Sequence, residues 1–92
     1  MRVRFTQEAR DDIASIHAYI AQHDPSAAGR VVAAIEYSTK RLADFPFSGR
    51  TGAVEATREL VIPHLPYILV YVVTTDIEVV AVFHAAQDRP RG

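Results

Sequence analysis

The stretch RELVIPHLPYILVYVV, Arg58 to Val73, is almost wholly apolar, yet two prolines and a histidine interrupt it near its middle. A membrane span, a buried helix and a pair of core strands all share this composition. A span needs about 20 consecutive apolar residues, and Pro63 and Pro66 break this one. Arg58 to Ile62 and Tyr67 to Val73 are each rich in β-branched and aromatic residues, which suit the pleated surface of a sheet. Proline donates no hydrogen to a central ladder, so PHLP between the two runs makes a turn. The stretch therefore reads as two strands.

Working outward from it, TTD, Thr74 to Asp76, makes the next turn. IEVVAVFH, Ile77 to His84, is a further strand, apolar enough to be central and covered on much of both faces. AAQDRPRG, residues 85–92, is a polar tail. Upstream lies FPFSGRTGA, Phe45 to Ala53, whose proline and glycines mark a loop anchored by Phe45 and Phe47. Before that come two helices. Ala9, Ile13, Ile16 and Ile20 form one helical stripe over about residues 7–22, flanked by His17; Ala28, Val31, Val32, Ile35 and Leu42 form the stripe of the second helix. Thr6 is the expected N-cap of the first, and Glu8, Asp11 and Asp12 gather where its dipole favours negative charge. Asp24 caps the second, with Pro25 at its first position, so QHDP folds one helix back on the other. Met1 to Phe5 alternates Arg2 and Arg4 with Val3 and Phe5, the period of a strand with one wet face.

The expected order is thus β-α-α-β-β-β, an α+β fold with a helical hairpin on one face of a small, mainly antiparallel sheet. The 92 residues make one domain, 1–92. A chain this short buries about 60–68% of the surface its unfolded form exposes, so its core is modest. Two helices cover only one face of a sheet, and an apolar surface left open on the other would need a partner.

The formal net charge of −1 speaks against a dedicated nucleic-acid binder, which draws its affinity from neutralising phosphates. The absence of cysteine excludes disulfides, zinc–thiolate sites and thiol nucleophiles, and suits the cytoplasm. MRVRFTQEARDD has no apolar signal region. His17, His23, His64 and His84 lie on separate elements without metal-binding spacing, so no metal or cofactor is expected. No Ser-His-Asp arrangement or phosphate-cradling glycine loop is present.

The hairpin, then FPFSGR, then RELVIPHLPYILVYVV, then IEVVAVFHAAQDRP, in that order and spacing, resembles the RelE/ParE superfamily of bacterial type II toxin-antitoxin toxins, also called plasmid stabilisation proteins. The likeness spans nearly the whole chain. It implies growth inhibition by the free toxin and neutralisation by a cognate antitoxin in a hetero-oligomer. RelE-like members cut messenger RNA in the ribosomal A site, whereas ParE-like members poison DNA gyrase, and fold alone does not separate the two. Metal-free cleavage at a 2′-hydroxyl requires a base, a cation for the phosphate and an acid. RelE-like nucleases place an arginine early in the third strand and an aromatic or histidine pair at the C-terminus. The matching positions here are Ile68, and Ala86 with Gln87. The resemblance therefore favours the ParE-like branch, with a RelE-like ribonuclease as the alternative and a degenerate member that binds antitoxin without toxicity as a third reading.

For target contact the candidates are Arg50, Arg58, Tyr71, His84, Gln87 and Arg89, of which Arg58, His84 and Arg89 would carry catalysis in a ribonuclease. Four of them also have a plainer account: a loop cation in solvent for Arg50, a charge that starts a strand for Arg58, a hydrogen-bonded strand end for His84, and a solubilising tail charge for Arg89, as for its neighbour Arg91. For antitoxin binding the expectation is the hairpin's apolar stripe, Ile13, Ile20, Val31, Ile35 and Leu42, by helix-in-groove packing, together with strand addition at a free sheet edge.

Overall fold

A computed structural model of the chain describes residues 1–87. Strand β1 (Val3–Phe5) leads into helices α1 (Gln7–Ala21) and α2 (Pro25–Asp44); strands β2 (Arg50–Thr51), β3 (Thr57–Val61), β4 (Tyr67–Val73) and β5 (Ile77–His84) follow. They form one five-stranded sheet of order β1-β5-β4-β3-β2. All neighbours are antiparallel except β1 and β5, which run parallel.

The helix ends form as their sequence dictates. The Thr6 hydroxyl accepts the Ala9 N–H at 3.1 Å and Asp24 accepts that of Ala27 at 3.0 Å, each satisfying an amide that the first helical turn leaves unpaired. Pro25 occupies the first turn of α2, where its missing donor costs nothing. The turn of PHLP is closed by the Ile62 amide on the Tyr67 carbonyl, with His64 in the left-handed region at φ 66°.

One core lies between the hairpin and the sheet. Ala9, Val31, Ile35 and Leu42 from the helices meet Ile62, Leu69, Tyr71, Ile77, Val79 and Val82, while Ile13, Ile16 and Ile20 pack half-buried against it. A register shift between Val70 and Tyr71 places one extra residue in β5, so that Ala81 faces away from the helices while Val82, like Val79, faces them.

Two expectations need correction. Phe45 to Ala53 is not all loop, because Arg50 and Thr51 pair with Glu59 and Arg58 to make β2. Nor is the face away from the helices an open apolar surface over its middle. Ile68, Val70, Ala81 and Phe83 form a second buried cluster there, none more than 7% exposed. Among the described residues, no helix is long and apolar enough to cross a membrane.

Candidate functional site

The residues singled out by sequence gather at two separate ends of the sheet. At one end the chain leaves α2 and is drawn back over the sheet by Tyr71. This side chain is wholly buried; its hydroxyl donates to the Pro46 carbonyl at 2.9 Å and accepts the Gly49 amide at 2.9 Å. Gly49 is required here by close approach, since a Cβ would stand 2.7 Å from that hydroxyl and 2.9 Å from the Glu59 carbonyl oxygen. Tyr71 is thus unavailable as a target contact, because its whole surface is spent holding the loop.

Arg58 lies beside Tyr71, as the strand register expects. One guanidinium nitrogen donates to the Gly49 carbonyl at 2.9 Å, and the group lies 4.9 Å over the exposed Phe47 ring. Arg41 covers Phe45 in the same way at 5.6 Å. Arg50 donates to Glu59 at 3.0 Å and, with its side chain 57% exposed, keeps a solvent-facing surface. Glu59 is only 3% exposed and also receives the Ala53 amide. A carboxylate buried to this degree needs such partners, since an unpaired charge would pay a large desolvation cost. This end therefore presents cations and rings that are already engaged: a fixed surface of arginine on phenylalanine.

The other end carries His84. It faces Tyr67 in the ladder, and the two rings meet edge to face, 5.4 Å apart at 82°. Nδ1 of His84 accepts the Ala86 amide at 3.0 Å, and the His84 amide donates to Gln87 Oε1 at 3.0 Å. Both residues line a groove of about 410 Å³ with Asp12, Ile16, Tyr19 and Tyr67. Burial pushes the Tyr67 hydroxyl above its ordinary 10.0, and the Tyr19 phenol adds to the rise.

Arg58 and His84 do not converge. Arg58 pairs with Tyr71 and His84 with Tyr67, four positions apart on β4 or about 13 Å at the rise of a strand, and they stand on opposite sides of that strand. Arg89, the third member of the ribonuclease set, lies outside the described residues. Among the described residues no cluster of histidine and acidic side chains suits a metal ion.

The expected antitoxin contacts also change. Ile35 and Leu42 are wholly buried and Val31 is 9% exposed, so these three belong to the protein's own core and cannot meet a partner. The pattern that marks a helix's apolar stripe is the same for a face turned inward and one turned to a partner. Among the described residues, the large apolar side chains that do stand out are Met1, Tyr19, Tyr37, Phe45, Phe47, Val54 and Val61, none of them on the expected stripe.

Residues 3–89 match the family described as "ParE toxin of type II toxin-antitoxin system, parDE". The chain belongs to the ParE toxin family. It is 44% identical over 90 residues to the protein named "Putative toxin Y4kP" from Sinorhizobium fredii (strain NBRC 101917 / NGR234), covering 98% of this chain and 94% of that one. A solved chain described as "Chromosomal ParDE TA system from P. aeruginosa" shares the fold, with a TM-score of 0.83, 22% identity, and coverage of 91% of this chain and 95% of that chain. Within this ParE-family chain, sequence reasoning missed Glu59, Tyr67 and Asp12. Glu59 reads as an ordinary strand-surface acid, and Asp12 as helix dipole compensation. In the structure its carboxylate accepts the Val82 amide at 2.9 Å, across a sequence separation of 70 that no local pattern signals.

Proposed function

We propose that this chain is the toxic half of a toxin-antitoxin pair in the cytoplasm, held inactive by a cognate antitoxin, and that its target is DNA gyrase. One observation carries the choice of target: the arginine and histidine that a metal-free ribonuclease would bring to one phosphate are held about 13 Å apart along β4, each tied into its own end of the sheet. Arg58 is committed to Gly49 and Phe47, and His84 to Ala86 and Tyr67. General acid–base work on one phosphodiester needs both groups within hydrogen-bond reach of it. The family match over residues 3–89 supports the toxin reading.

On this reading Arg50 of β2 and Arg58 of β3, displayed beside Phe47 of the preceding loop that Tyr71 ties down, form the target-contacting end. The antitoxin lies over exposed aromatic residues such as Tyr19 and Tyr37 and reaches the hairpin's half-buried Ile13 and Ile20. The test is induction of the gene alone and together with its neighbouring reading frame, with DNA breaks and transcript ends read from the same cultures. Growth arrest with gyrase-linked breaks, relieved by the neighbour, is the expected result. Codon-dependent transcript cuts without breaks would replace gyrase with the ribosome, and unimpaired growth would leave only a non-toxic antitoxin binder.

A further inference from the structure

Strand β5 has eight residues but β1 pairs with only its first three, Ile77 to Val79. Its outer edge from Val80 to His84 therefore runs on past the end of β1, while its inner edge stays paired with β4. This segment, VAVFH, is β-branched and aromatic and carries no formal charge unless His84 is protonated, which is the composition of an edge that recruits other strands. β1 does not continue to cover it; the chain has already turned into α1.

Side chains take the place of the missing strand. The Thr6 hydroxyl donates to the Val80 carbonyl at 3.3 Å. Asp12, less than two turns further along α1, accepts the Val82 amide at 2.9 Å. Gln87 turns back so that its Oε1 accepts the His84 amide at 3.0 Å while its own amide donates to the His84 carbonyl at 2.9 Å. The backbone groups engaged run down one edge in the order a neighbouring strand would meet them. We propose that Thr6, Asp12 and Gln87 form a guard that closes the outer edge of β5 beyond β1 to strand addition, and that the partner it excludes is a second copy of this chain. Asp12 is the central member, since its carboxylate is the acceptor for the Val82 amide midway along the edge, and a charged acceptor makes the strongest of these bonds. Thr6 does double duty, because the same oxygen that caps α1 holds Val80.

The inference is independent of toxicity and target. It is tested on the full chain with Asp12→Ala and Asp12→Asn, the second of which keeps an oxygen acceptor in place. Hydrogen exchange at the Val82 amide and sedimentation over a range of concentrations are the two readouts. Asp12→Ala should exchange at Val82 about tenfold faster or more and shift to dimers or larger species, whereas Asp12→Asn should do neither. A synthetic peptide of residues 78–84 should bind the alanine variant and not the unchanged chain. Should Asp12→Ala fail to fold, Gln87→Ala, outside the core, serves instead, with faster exchange at His84. Association no greater than that of the unchanged chain in a folded variant, or equal association of the alanine and asparagine variants, would overturn the guard, as would peptide binding to the unchanged chain.

Discussion

Tyr71 shows how one buried hydroxyl organises a surface. It is wholly buried, and its oxygen both donates to Pro46 and accepts from Gly49. Tyr71→Phe removes the partner of a buried amide while leaving the ring to pack. The cost is that of an unsatisfied buried group, about 1–3 kcal/mol. On a chain of this size that lowers the melting temperature by about 4–8 °C per kcal/mol, measurable by calorimetry. Tyr67 answers to pH instead. Its hydroxyl titrates above 10.0 in the folded state because the buried phenolate is poorly solvated. Between the unfolded and the folded pKa the native state therefore holds the extra proton, and stability falls as pH rises through that window above about 10. Urea unfolding from pH 8 upwards should show this alkaline loss in the unchanged chain and a flatter limb in Tyr67→Phe.

At the scale of elements, the two helices commit their apolar stripes inward. Leu42 and Ile35 are wholly buried against the sheet. Leu42→Ala should cost about 2–5 kcal/mol, a large share of the roughly 5–15 kcal/mol that a domain possesses. Chemical denaturation reads the loss directly. At temperatures where the variant remains folded, its grip on an antitoxin should be unchanged, which separates a core residue from a contact.

The strands and helices were legible because each depends on local chemistry: capping by Thr6 and Asp24, proline at Pro25, and the branched runs either side of Pro63 and Pro66. β2 was not, since two residues carry no period. The register shift at Val70 and Tyr71 was equally hidden, and it decides that Ala81 faces away from the helices while Val82 turns toward them. The site was legible only in part, because Arg58 and His84 were recognisable as chemistry while their separation depends on which residues of β4 they face.

Across the whole molecule, the first strand and the last described one lie side by side. β1 has a single neighbour in the sheet, β5, and Thr6 reaches Val80, 74 positions on. β5 in turn gives β4 its second ladder and α1 much of its floor. Local contacts form early and distant ones late, because the loop between partners must first be closed. During synthesis the hairpin leaves the ribosome first, with its apolar stripe facing no completed sheet. Strand β5 is thus the keystone: with it removed, β1 has no ladder, β4 has one in place of two and α1 loses most of its contact with the sheet, so neither the hairpin nor the remaining strands can close a core alone.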